Sequence, residues 1–293
     1  MKALLYRLAF FLGCVAVLGG FSFSAQAQPA ASVEGVQMPA WLERNGRRTP
    51  LLPGMELRAG DQIFTGAGSR ALVRLAEGSV VKLGENGTLR FTRIDRTGEI
   101  FKAALGVLQG AFRFTTELIG QTRRREIDIR VAQVTAGIRG TDLWGRGLKD
   151  NEVVCLIEGE IQVGAEGEAA QTLNQPLQFY RRTDGKTQPI GVIDVKQLAD
   201  WAKQTEIEEG KGAARAGGRF SVLLAGAPDQ RSALGLYDEL RAAGYPAEIV
   251  PRKDGGQVLY IIRIRQLPTR AEAQALANQL KGRFGITEPR ISG

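Results

Sequence analysis

Phe220-Ser221-Val222-Leu223-Leu224-Ala225 opens the most legible stretch of the chain, and the residues after it switch hydrophobic period again and again. Asp229 sits where a helix cap belongs, ahead of an apolar stripe of Ala233, Leu236, Tyr237, Leu240 and Ala243 that Gly244 closes. Ala247–Val250 and Val258–Ile264 read as two further strands, parted by the turn residues Asp254-Gly255-Gly256. Thr269-Arg270-Ala271-Glu272 has the form of a capping box and starts a helix with Ala273, Leu276, Ala277 and Leu280 turned inward. Gly282 ends that helix, and Pro289–Ser292 supplies an edge strand. The order is β-α-β-β-α-β.

That order predicts an α+β, ferredoxin-like split-βαβ domain over residues 218–293. Side chains alternate across a strand, so Val222, Leu224, Ile262 and Ile264 are expected to face the helices. Ser221, Leu223, Ile261, Arg263 and Arg265 are then left on the open face of the sheet.

Upstream, from about Trp41 to Ile190, short runs of period two predominate: Ala71–Leu75, Val80–Leu83, Leu89–Phe91, Ile127–Val131 and Ile161–Val163. Turn pairs such as Glu77-Gly78, Gln109-Gly110 and Glu158-Gly159 separate them. Helical periodicity is nearly absent, which predicts an all-β domain over 41–190: a sandwich, a roll or a short β-solenoid. Residues 191–217 differ from both flanks. Val195, Leu198, Trp201, Ala202 and Ile207 share one side of a helix, with Trp201 expected to pack on the β domain. Glu208–Gly218 has the charged, glycine-rich composition of a linker.

The first residues restrict where such a protein works. Lys2 and Arg7, the apolar Leu8–Gly20 and the small-x-small site Ala25-Gln26-Ala27 form the three parts of a secretory signal peptide over residues 1–27. Cleavage there delivers the protein to a bacterial periplasm; uncleaved, the segment would serve as an anchor, although it is short for a span of about 20 residues. Two of the 39 basic residues leave with the signal, against 31 acidic ones, so the net charge falls from +8 to +6. Residues 218–293 hold 11 basic and 7 acidic side chains, which suits an anionic polymer. Export removes nucleic acid as a partner.

The chain has no histidine, which excludes Ser-His-Asp and Cys-His catalysis and every His-based metal site. Cys14 lies in the signal, so Cys155 is the one cysteine left, in the apolar run Val153–Ile157, and is expected to be a buried, inert thiol. No pair of carboxylates stands out as a glycosidase dyad. A binding or regulatory protein without catalytic residues, metal or cofactor is the expectation.

The β region resembles the FecR domain. The resemblance rests on Gly60-Asp61-Gln62-Ile63-Phe64-Thr65-Gly66, Ser69-Arg70-Ala71, Glu77-Gly78-Ser79-Val80, Gly106-Val107 and above all Gly137-Ile138-Arg139-Gly140-Thr141, across about Met55 to Tyr180. The glycines, Gly60, Gly137 and Gly140 among them, are expected at sharp turns, with Asp61 and Thr65 bonded to nearby turn backbones. Arg139 would need a partner such as Asp142 or Asp61. FecR-like signal transducers have a cytoplasmic sigma-factor-binding segment and a membrane helix; this chain begins with a signal peptide instead. What the resemblance implies is a periplasmic β module that senses or docks onto a second component.

Residues 219–292 resemble a SPOR domain, a module that binds peptidoglycan glycan strands stripped of their peptide stems. Phe220–Gly226, Tyr260-Ile261-Ile262-Arg263-Ile264 and Thr269–Leu280 carry that resemblance. Leu223 stands where the family has Gln, and Arg265-Gln266-Leu267 where it has Gly-Pro-Phe. The family binds glycan on the helix-free sheet face, which implies that Arg263 and Arg265 meet muramic-acid carboxylates while Leu223 and Ile261 lie against sugar rings. The expectation is a periplasmic envelope protein that holds peptidoglycan, with division sites implied by the SPOR resemblance, and contacts an envelope protein or ligand through its β domain. The alternative is a FecR-like sensor or regulator whose C-terminal domain docks onto protein.

Overall fold

A computed structural model describes residues 29–95, 100–116, 124–138 and 140–293. The expected signal peptide and Arg139 lie outside the described residues. Two large sheets share one long strand, Ile100–Thr115. Its first part pairs with Thr88–Asp95 and, in parallel, with Arg124–Val131. Its last part pairs with Val80–Leu83 and Asp142–Leu148 in the other sheet. The crossing falls at Gly110, where φ is +91° and a Cβ would sit 2.6 Å from the Gly87 Cα, so only glycine fits.

The period-two runs put Ile63, Leu89, Phe91, Phe112, Phe114, Val73 and Leu156 between the layers, each almost wholly buried. Burial of one such side chain contributes about 1.5–3 kcal/mol, and this two-layer interior is the main source of stability in the domain. The first sheet strand, Ala31–Gln37, precedes the expected start at Trp41. It is hard to see in the sequence because its pairing with Arg70–Leu75 shifts register between Val33 and Gly35, which breaks the alternation.

The helix α1 spans Val195–Lys203 and is capped by Asp194, whose carboxylate accepts from the Gln197 N–H at 2.7 Å. Trp201 stacks on Trp144 of the β domain with ring centroids 4.5 Å apart. Val195, read as part of the apolar side, is 70% exposed. The segment expected to be a linker is structured: Ala213–Arg215 forms a strand beside Ala31–Gln37. Gly210 and Gly212 have φ of +72° and +80°, and a Cβ on Gly212 would come within 3.1 Å of Leu276. Positive φ at both positions, joined by close approach at Gly212, explains these glycines.

In the C-terminal domain four strands lie in the order Glu248–Asp254, Gln257–Leu267, Phe220–Ala227, Arg290–Ser292, each antiparallel to its neighbours. Helices α2 (Gln230–Ala242) and α3 (Arg270–Leu280) pack over Val222, Leu224, Ile262 and Ile264, all buried. Asp229 caps α2 through the Ser232 N–H, and Thr269 caps α3 by accepting from the Glu272 N–H at 3.2 Å. The reciprocal half of the expected capping box is missing. Glu272 turns away from Thr269 and accepts instead from Gly210, Gly212 and Ala213.

Candidate functional site: the helix-free face of the C-terminal sheet

Register decides which side chains share the open face. Leu223 lies opposite Arg290 on one side and Arg263 on the other, and Arg263 lies opposite Glu248. One row further along, Gly226 faces Ile261, and Ile261 faces Val250. Leu259 and Arg252 form the next pair. A Cβ on Gly226 would meet the Leu259 Cδ2 at 3.0 Å, so its absence leaves a hollow between the aliphatic side chains.

The hollow is a groove of about 560 Å³, floored by Leu223, Gly226, Leu259 and Ile261 and flanked by Arg252 and Arg290. Glu288 lies at the same rim. Both arginines are exposed, and neither guanidinium has a hydrogen bond or ion pair among the described residues. An apolar floor with free guanidinium groups at its edges fits a ligand with flat apolar faces and carboxylates. A second hollow of about 600 Å³ shares Leu259 but runs under the start of α2, beside Asp229, Gln230 and Gln257, and has no flanking arginine.

Of the five residues that the sequence put forward, Leu223 and Ile261 line this groove, while Ser221, Arg263 and Arg265 do not. Ser221 pairs with Ser292 at the sheet edge. Arg263 and Arg265 both turn to Glu248, with Nε atoms 2.6 and 2.7 Å from the same carboxylate oxygen. Sequence reasoning missed Arg252 and Arg290, although strand alternation across Glu248–Asp254 and Arg290–Ser292 would have placed both on the open face.

The FecR-motif residues act inside the β domain. Asp61 is 1% exposed and holds the Arg44 guanidinium with two hydrogen bonds, at 2.7 and 2.6 Å, while accepting from the Arg58 N–H. The Asp61 carboxylate pushes the Arg44 pKa up from its usual value. Thr65 donates to the Gly84 carbonyl and accepts from the Gly87 N–H. Gly60 and Gly140 have φ of +91° and +69° and make turns as expected. Gly137 does not: it lies within the strand Val134–Ile138, paired with Asp128 and Gln162.

Thr141 is buried, its carbonyl accepting from both the N–H and the hydroxyl of Thr116. Asp142 grips Arg113 at 3.0 and 2.6 Å, which raises the Arg113 pKa. The expected pairing of Arg139 with Asp142 or Asp61 lies outside the described residues. Burial pushes the Cys155 thiol up to about 12, in keeping with an inert core residue. Among the described residues no three carboxylates or cysteines gather as a metal site.

A strand-rich domain joined to a small α+β domain with a flat, arginine-edged groove defines a two-module binding protein. Known families place both modules: the chain holds a FecR domain, matched as FecR protein over residues 61–162, and a SPOR domain over residues 216–287. The second match takes in every groove residue except Glu288 and Arg290. Both families are non-catalytic; a SPOR domain implies peptidoglycan as a partner, and a FecR domain implies a regulatory, sensing role.

Solved structures that match include two of a proposed anti-sigma factor from Parabacteroides distasonis ATCC 8503, at 1.65 and 2.50 Å resolution. Each is 14% identical, covers 68% of this chain and 98% or 97% of its own, and superposes with a TM-score of 0.40. No curated protein matches the chain significantly. Among the described residues no helix is long and apolar enough to cross a membrane.

Proposed function

We propose that the protein is a non-enzymatic component of the cell envelope, delivered to the periplasm by cleavage after residue 27, that binds peptidoglycan on the open face of its C-terminal sheet. That domain, residues 218–293, is read as a ferredoxin-like SPOR fold, and its strand order supports the reading. The observation that carries the proposal is the groove over Leu223, Gly226, Leu259 and Ile261 with Arg252 and Arg290 free beside it.

A glycan strand stripped of peptide stems presents the chemistry this groove fits. Sugar rings lie against Leu223, Leu259 and Ile261, and the lactyl carboxylates exposed by loss of the stems bond to Arg252 and Arg290. Residues 41–190, with the strand before them, bind or sense a second ligand or an envelope protein. Nucleic acid has no place in this reading, since the groove floor is aliphatic and lacks the aromatic platforms on which bases stack.

The test is retention of Arg252→Ala, Arg290→Ala and the double variant on purified sacculi. The proposal expects the double variant to lose about tenfold or more in affinity, as two charge-assisted contacts go, with thermal stability unchanged. Parent-like retention overturns it.

The pairing of Glu248 with both Arg263 and Arg265 favours a second reading, in which the sheet docks an envelope protein and the FecR domain relays a signal. That reading expects no retention on sacculi, and altered transcription when residues 41–190 are deleted.

A further inference from the structure

We infer that residues 204–215 form a latch that locks the β domain and the C-terminal domain into one rigid body, closed by Glu272. Glu272 is 7% exposed, in the first turn of α3. One carboxylate oxygen accepts from the Gly210 N–H at 2.7 Å, the other from Gly212 and Ala213 at 2.7 and 2.9 Å. Glu272 forms no ion pair among the described residues, so its charge is met by these three N–H groups and by the positive end of its own helix. A buried carboxylate satisfied in this way fixes the backbone that satisfies it.

The same segment is held from the other side. Ala213–Arg215 extends the β-domain sheet, with Val36 opposite Ala214 and Gln37 opposite Ala213. The Gln37 side chain accepts from the Glu208 N–H at 3.1 Å. Glu206 receives Lys82 at 2.6 Å and Arg113 at 3.3 Å, both from β-domain strands.

A second contact lies elsewhere on the C-terminal domain. The Trp41 Nε1–H donates to the Ala242 carbonyl at 3.1 Å, and the Ala40 N–H donates to Gly244 at 3.2 Å. Gly244 has φ of +84°, and a Cβ there would lie 2.6 Å from the Trp41 ring. A single contact would leave a hinge. Two contacts, one at the first turn of α3 and one just past the end of α2, remove the relative rotation that is usual between domains. Whatever anchors one domain therefore sets the orientation of the other.

Trypsin reads the latch directly, because Lys211 sits between two of the residues whose N–H groups Glu272 holds. In the full protein Lys211 is expected to resist cleavage, since cutting needs the strap to open. Glu272→Ala should speed cleavage at Lys211 about tenfold or more while circular dichroism stays native. Rapid cutting at Lys211 in the parent overturns the inference, and so does an unaltered rate in a folded Glu272→Ala.

Should that variant fail to fold, spin labels at Lys149→Cys and Lys281→Cys in a Cys155→Ala background decide the matter in the otherwise unaltered protein. A single narrow distance distribution supports the latch. A broad or multiple one overturns it.

Discussion

Arg263 lies directly across the sheet from Glu248, and its Nε meets a carboxylate oxygen at 2.6 Å that Arg265 also reaches. Two basic side chains of the open face therefore share one carboxylate within the fold, and the guanidinium groups left without a partner among the described residues are those of Arg252 and Arg290. Removing the competing carboxylate should free the pair. Glu248→Gln is expected to raise affinity for sacculi by roughly two- to fivefold at low salt, the worth of a partly exposed ion pair, with the gain fading as salt rises. Sedimentation at two ionic strengths measures it; a loss of affinity would show that Glu248 itself touches the ligand.

Gly226 sets the depth of the groove. Gly226→Leu is expected to fill the hollow beside Leu259 and Ile261 and abolish retention, while thermal stability changes little because the position is exposed and the flexible end of Leu259, 3.0 Å from the new Cβ, can shift toward solvent. Unchanged retention would place the ligand elsewhere.

Much of this architecture is legible in the sequence, and the failures share a cause. The C-terminal strands and helices declare themselves because each has one buried face, so period two and period 3.6 survive in the order of apolar residues. The groove is half legible: alternation finds Leu223 and Ile261, but pairing between charged side chains depends on which strands are neighbours, and Glu248 lies fifteen residues from Arg263. The strand Ala213–Arg215 is hidden because its stabilising groups are backbone N–H donors bound by a distant carboxylate. Glu272 illustrates the limit most clearly. Its spacing from Thr269 suits a capping box, and only the packing of the preceding strap redirects it.

Asp61 holds the β domain rather than a ligand. Asp61→Ala leaves Arg44 without its bidentate partner and the Arg58 N–H without an acceptor, which should cost about 2–3 kcal/mol. Urea unfolding checks the value. A stability within about 0.5 kcal/mol of the parent would mean that the pair contributes nothing net.

Glu152 gives the stability a defined pH dependence. It is 3% exposed, burial pushes its carboxyl above the usual 4.5, and Arg182 at 4.0 Å pulls it the other way without prevailing. A raised carboxyl contributes stability that is full below 4.5 and is lost as the pH climbs through the folded value. Glu152→Gln should remove that decline, so the difference between variant and parent grows in favour of the variant as the pH rises above 4.5. A gap that narrows over this range would reverse the sign assigned to burial.

Cys155 should remain unlabelled by alkylating reagents in the folded protein, since its thiol is buried and held at about 12. Labelling then follows unfolding. A fast native reaction, timed by mass spectrometry, would mean that the core around Trp144 and Trp201 opens readily.

The most direct measurement of the central claim is co-sedimentation of the full protein with sacculi before and after an amidase removes the peptide stems. Enrichment on the stripped glycan, lost in the Arg252→Ala, Arg290→Ala double variant, is the predicted result. Equal absence from both preparations would contradict glycan binding and point to a protein on the open sheet face.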